Sequence, residues 1–514
     1  MSLHSIAFLS NTITKPFDRF LKEYNVTHYP LDTIIEQLYN DIEEELIIIL
    51  LDPSFFQNDF SLLRNAIFHF RTKKSTKIII NTVSDNFNDI YIASNIQNEL
   101  KLVKLNTNIV ALSVEFINIA ILDFYTLVKE NGYKHLINEK NRYLFQTPFT
   151  KLGLELITKK IEVLISLFEK PRVKAIAVDA DNTLWGGVVG EEGINAIHID
   201  NNYPGVVYRK FQEYLLALKE SGILLILLSK NDNELVKETF ETRDMPLSLD
   251  DFVESAVNWN SKSENLTLIL QKLKLTRSNI IFLDDSDIEI SEMSERMEIN
   301  SFKMNPSNPL DNLTTLQNIE TLKAIHLTAE DMKKTLLYKD EESRGVLQET
   351  LGKKEDFIAS LNITITVKQN EVKNLERITQ LINKTNQFNL TTHRYELSEV
   401  EEFMNSSYIY DFSVKDKFGD MGLIGVVIIK DKNIDTFLMS CRVLGRGIEE
   451  RILAFITSKH SDIKANFIPT NKNRLVENFY ENNGFKLIKE DIVKYYKFVK
   501  NVDINRDIKV DYDN

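Results

Sequence analysis

The chain has 514 residues, of which 43% are hydrophobic and 27% charged, with a formal net charge of −13. That length exceeds what one hydrophobic core supports and predicts about three domains, each of ordinary globular composition. The acidic balance excludes a general nucleic-acid binder, and no apolar run reaches the ~18 residues of a membrane span. The short apolar run at the N-terminus lacks the basic stretch of a signal peptide, and the single cysteine, Cys441, fits a reducing compartment. A cytoplasmic protein with no nucleic-acid or membrane partner is expected.

In residues 1–150, apolar strands at 6–9, 46–51, 77–80 and 109–112 alternate with helical segments such as 55–71, the pattern of a parallel sheet with crossover helices. The strand end Leu9-Ser10-Asn11-Thr12 resembles the start of an SGNH-hydrolase-like or flavodoxin-like sheet. No Gly-Asp-Ser nucleophile segment is present, so a structural or docking role is expected. A helical connector at 152–168 precedes Pro171 and opens a second α/β domain, 151–325, closed by Pro306 and Pro309. Residues 326–360 read as a charged helical linker, with Thr328 and Asp331 at capping-box spacing. Residues 361–500 read as a mixed α+β domain, and 501–514 as a tail.

The second domain carries the clearest chemistry. Its first strand, 173–178, ends in Asp179-Ala180-Asp181-Asn182-Thr183. Two carboxylates one residue apart at the carboxyl end of a buried strand repel each other, and a bound Mg²⁺ would offset that repulsion and clamp a phosphate. The strand 223–228 ends in Ser229, Lys262 opens a helix, and the strand 280–283 ends in Asp284-Asp285. An isolated Asp-x-Asp after a strand is ordinarily a turn. All four segments in this order resemble the motifs of the haloacid dehalogenase (HAD) superfamily. Asp179 is then the nucleophile, Asp181 the general acid and base, and Ser229 and Lys262 the phosphoryl-oxygen partners. The expected magnesium ligands are Asp179, Asp181, Asp284 and Asp285.

Near the C-terminus a strand at 435–440 runs into Cys441-Arg442-Val443-Leu444-Gly445-Arg446-Gly447. Arg-x-x-Gly-x-Gly at a strand-to-helix turn exposes backbone N–H groups to an anion, and its glycines permit close approach. This resembles the pyrophosphate loop of GNAT acyltransferases. Residues 473–485, with Phe479-Tyr480-Glu481-Asn482-Asn483-Gly484-Phe485, resemble their next motif. The resemblance implies that Arg442, Gly445, Arg446, Gly447, Asn473 and Tyr480 line a cofactor or carrier-arm site. A lone cysteine is commonly a buried small hydrophobe, but Arg442 and the following helix N-terminus favour a thiolate at Cys441.

The blocks 179–193, 384–395, 416–425 and 440–449 together are similar to the FkbH-like proteins, over about residues 170–500. The fold implied is α/β and multidomain: an SGNH-like N-terminal domain, a HAD domain and a GNAT-like α+β domain. The resemblance implies an enzyme of polyketide-type biosynthesis. It would take the glyceryl group of 1,3-bisphosphoglycerate, remove its phosphates and load it on the phosphopantetheine of an acyl carrier protein, with Cys441 holding the thioester. An acidic carrier requires a basic patch, for which Arg442, Arg446 and Arg451 are the candidates. The family continues its second aspartate pair as Asp-Asp-Asn-Pro-x-Glu-Arg. Here the segment is Asp284-Asp285-Ser286-Asp287-Ile288-Glu289-Ile290, a departure that bears on recognition of the second phosphate. The rival readings are a small-molecule phosphatase fused to an independent CoA-dependent acyltransferase, and a non-catalytic phosphate-binding scaffold. His393, inside the second block, reads as a surface histidine.

Overall fold

The computed structural model describes residues 3–513 except 54, 56–59, 74–75, 86–92, 117, 171, 328–332, 461 and 501–507. Pro171 and the Thr328/Asp331 pair lie outside the described residues. The chain forms two compact units, one built on residues 1–338 and the other on residues 339–514. Among the described residues, no helix is long and apolar enough to cross a membrane.

The first unit contains two parallel sheets. The N-terminal sheet joins β1 (Ser5–Ser10), β2 (Asn25–His28), β3 (Leu46–Leu50), β4 (Lys77–Asn81) and β5 (Ile119–Leu122) in the order β2-β1-β3-β4-β5. This is the flavodoxin-like order. Helices cover both faces, so β3 is buried along its whole length and its sequence is an unbroken Leu-Ile-Ile-Ile-Leu run. Residues 109–112, expected as a strand, lie instead in the helix Ala93–Glu115. Leu102, Leu105, Ile109, Leu112 and Phe116 recur at helical spacing and all enter one core. The helix Lys151–Glu169 packs Ile157, Ile161 and Ile165 against Ile6, Phe8 and Ile48, so it completes the N-terminal domain rather than opening the second. Ser10 donates its hydroxyl to the Leu50 carbonyl at 2.6 Å, a partner that fixes the end of β1.

The second sheet joins β6 (Ala175–Val178), β7 (Leu224–Ser229), β8 (Phe252–Val257), β9 (Ile280–Asp284) and β10 (Asn300–Lys303), all parallel, in the order β10-β9-β6-β7-β8. The chain proceeds from β6 through β7 to β8 on one side, then crosses to β9 and β10 on the other. The strand order therefore reverses between β6 and β9, and the crevice outside their carboxyl ends is where such sheets bind ligands.

The other unit is a mixed sheet with helices. Its strands are β11 (Thr364–Gln369), β12 (Phe388–Asn389), β13 (Tyr408–Lys415), β14 (Asp420–Lys430), β15 (Asn433–Met439), β16 (Lys464–Phe467), β17 (Phe485–Glu490), β18 (Lys494–Phe498) and β19 (Lys509–Asp513). They run in the order β17-β18-β16-β15-β14-β13-β11-β19, with β12 on β15. Two expectations change here. The stretch read as a linker contributes to the core: its Phe357 and Ile358 enter the main cluster. Arg344 in the same stretch forms a two-pronged ion pair with Asp416, at 2.7 and 2.9 Å, with side chains 3% and 0% exposed. Within the stretch read as a tail, residues 509–513 form a strand: β19 pairs in parallel with β11, and Ile508 is buried.

Candidate active site

Asp179 and Asp284 stand at the carboxyl ends of β6 and β9, on either side of the point where the strand order reverses. The backbone then turns sharply. Thr183 and Leu184 N–H donate to the Ala180 carbonyl, Asn182 takes a left-handed φ of +57°, and its side-chain oxygen accepts from Gly187 N–H at 3.0 Å. Asn tolerates that conformation better than most residues, and the turn brings Asp181 back over the strand end.

Carboxylate oxygens of Asp179, Asp284 and Asp285 lie within 4.8 Å of one another. Lys262, in the first turn of the helix Lys262–Lys272, places its Nζ 2.7 Å from Asp179 and 2.6 Å from Asp284. Asp284 also accepts Ser286 N–H at 2.9 Å. Burial pushes the Asp179 carboxyl up to about 7, against the pull of Lys262 and with the push of Asp284. Burial likewise raises Asp284, and the two carboxylates hold Lys262 at about 12 despite its own burial. Three crowded carboxylates with one ammonium are under-neutralised, and their hard oxygen donors suit a small divalent cation such as Mg²⁺. Asp179, Asp284 and Asp285 are the residues that could hold it.

The Asp181 side chain lies outside that carboxylate group, and both its oxygens accept N–H donors: Trp185 Nε1 at 2.8 Å and Val189 N at 3.0 Å on one, Asn231 Nδ2 at 2.8 Å on the other. Burial raises the Asp181 carboxyl, offset in part by the Val189 and Trp185 bonds. A carboxyl held in place by three N–H donors, two residues from Asp179, is oriented as general acid and base work requires. Ser229 is buried at the end of β7, where its carbonyl accepts Asn258 N–H.

Compared with solved structures, the chain is similar to the N-terminal part of BF1531 from Bacteroides fragilis, described as containing a phosphatase domain complexed with Mg. The TM-score is 0.52 at 21% identity, covering 64% of this chain and 96% of that one. The central domain has the HAD fold. Apo YjaB from Escherichia coli matches at 15% identity with a TM-score of 0.20, over 26% of this chain and 97% of that one, too low to carry an argument. No family model matches the sequence, and no curated protein does.

Several residues that shape this carboxylate site were not singled out from sequence. Asn231 and Trp185 orient Asp181, and their only sequence signal is proximity to the motifs. Lys230 donates to buried Glu289 at 2.6 Å. Glu289 is the acidic residue that the departed segment retains.

The C-terminal loop is arranged differently from expectation. Cys441 is exposed, which removes the buried-hydrophobe reading. It opens the 3-10 turn Cys441–Val443, whereas the long helix starts only at Ile448. Arg446 is buried and donates to both oxygens of Glu341 at 2.6 and 2.7 Å, and Arg451 donates to the Ile508 carbonyl. Burial and the Glu341 pairing take Arg446 out of an exposed basic patch, whereas Arg451 is half-buried. Gly445 N–H, expected to face an anion, donates to Glu449 at 2.9 Å, and a Cβ at Gly445 would point into open space with no protein atom within 4 Å. Gly445 and Gly447 both take φ of +79°, which explains glycine at each. Arg442 donates from Nε to the Ser440 hydroxyl at 3.1 Å. Asn473 is fully buried: its amide donates to the carbonyls of Asn389 and Ile468 and its oxygen accepts Thr470 N–H. Tyr480 is packed against Phe479, Phe485 and Tyr496. Both are buried, Asn473 with its amide fully engaged and Tyr480 with a hydroxyl that has no hydrogen-bond partner among the described residues. His393 is about one-third exposed, beside Tyr395 and Asp435.

Proposed function

We propose that this chain is a magnesium-dependent HAD phosphotransferase acting through Asp179. The observation that carries the reading is the group of Asp179, Asp284 and Asp285 at the strand-order reversal, with Lys262 between the first two. The similar BF1531 domain is described as complexed with Mg, which supports the same ion here. When bound, Mg²⁺ would neutralise the carboxylates and polarise the phosphoryl group. Asp179 attacks phosphorus, so that an aspartyl O–P bond forms as the P–O bond to the leaving group breaks. Asp181 gives its proton to the departing oxygen, then takes one from the water that hydrolyses the aspartyl-phosphate. Ser229 and Lys262 hold the phosphoryl oxygens.

At a finer level, the reading is FkbH-type glyceryl transfer. Cys441 attacks the acyl phosphate of 1,3-bisphosphoglycerate, the remaining phosphate leaves through Asp179, and the glyceryl group passes to the phosphopantetheine of an acyl carrier protein. The exposure of Cys441 supports it. Intact-mass spectrometry after incubation with 1,3-bisphosphoglycerate tests it: a glyceryl adduct of about 88 Da on Cys441, absent in Cys441→Ser, is expected for a covalent thioester. Phosphate release with no adduct in the wild type would leave a phosphatase alone.

A further inference from the structure

The parallel strands β15 and β16 pair only through Asn433 with Lys464 and Ile434 with Ala465, and then diverge. A gap between diverging strands offers unpaired backbone groups to an extended ligand. Here the chain itself fills it. Phe388 and Asn389 pair with Met439 and Leu438, and Leu390 N–H donates to Phe437. On the opposite side Ile468 N–H donates to Leu390 at 2.8 Å, and Asn473 clamps the Asn389 carbonyl at 2.9 Å.

The loop beyond the gap is filled in the same way. The two features that would draw an anion are both engaged by internal carboxylates: Gly445 N–H by Glu449 and the Arg446 guanidinium by Glu341. Glu449 sits in the first turn of the helix Ile448–Lys459, where the helix dipole favours negative charge, and it is only 8% exposed. Its second oxygen has no hydrogen-bond partner among the described residues. An incoming diphosphate would have to displace a buried carboxylate and meet its charge.

We infer that Glu449 is a specificity-determining residue that occupies the anion seat of the Gly445 loop and bars diphosphate-bearing thiols of the CoA class. Cys441 is then left to thiols on the single-phosphodiester arm of a carrier protein. This rests on the acyl-transfer reading of Cys441, and it separates that reading from an independent CoA-dependent acyltransferase.

The test is calorimetric titration of the full chain with ADP, the diphosphate portion of such cofactors, in chelator so that the Asp179 site is without metal. Glu449→Ala opens the seat and is expected to bind ADP at least about tenfold more tightly than wild type. Glu449→Gln keeps an acceptor for Gly445 while removing the charge, and shows a smaller gain in the same direction should the alanine variant be insoluble. Equal ADP affinity in the wild type and the soluble variants overturns the assignment. That failure would leave the Cys441 adduct and Asp179-dependent phosphate release untouched, so the two claims fail separately.

Discussion

Asn231 donates its side-chain amide to Asp181 at 2.8 Å, from the loop after β7 to the loop after β6. In the proposed mechanism Asn231 is therefore a positioning residue for the general acid Asp181. Asn231→Ala is expected to lower kcat about tenfold on alkyl phosphates, whose leaving oxygen requires a proton, and little on a nitrophenyl phosphate, whose leaving group does not. Equal loss on both substrates would mean that Asn231 acts on the phosphoryl group itself.

The crowded carboxylates predict a metal effect that is independent of turnover. Adding Mg²⁺ well above its Kd stabilises the state that binds it by about 2.7 kcal/mol at a hundredfold excess. The thermal transition of the first unit therefore rises by several degrees in the wild type, and by much less in Asp285→Asn, which removes one of the grouped oxygens. An identical rise in both proteins would place the ion elsewhere.

Arg344 and Asp416 predict a stability effect in the other unit. Burial pushes the Asp416 carboxyl up, but the Arg344 ion pair and the N–H groups of Phe418 and Gly419 hold it below the usual aspartate value. A lowered folded pKa means that the contribution is complete above the unfolded value of about 3.9 and is lost as pH falls through the folded one. Arg344→Ala, which leaves the buried carboxylate unpaired, is expected to cost about 3 kcal/mol at pH 7, read as faster hydrogen exchange of β13 and β14 amides in the full chain. The deficit shrinks below about pH 4. A deficit unchanged to pH 3 would assign it to lost packing.

The places of Asp179, Ser229, Lys262 and Asp284 were legible because a phosphotransfer site fixes both residue type and position: three stand at strand ends and Lys262 in the first turn of a helix. The surroundings of the Asp181 side chain were not, since one residue of spacing does not say which carboxylate turns to Asp284 and which to Asn231. Residues 109–112 misled because a short apolar run reads equally as strand or buried helix until Leu102, Leu105 and Phe116 are counted with it. The burial of Asn473 and Tyr480 was not legible, because a buried amide that clamps two carbonyls and a core aromatic look in sequence like exposed polar contacts, and one of the amide's partners comes from β12, far along the chain.

The most direct test of the central claim is phosphate release from an aryl phosphate in Mg²⁺ by the wild type and by Asp179→Asn, a change that keeps the shape and removes the attacking charge. Release by the wild type, lowered about 10³-fold or more in a variant that melts as a folded protein, is the predicted result. Undiminished release by Asp179→Asn would contradict the account.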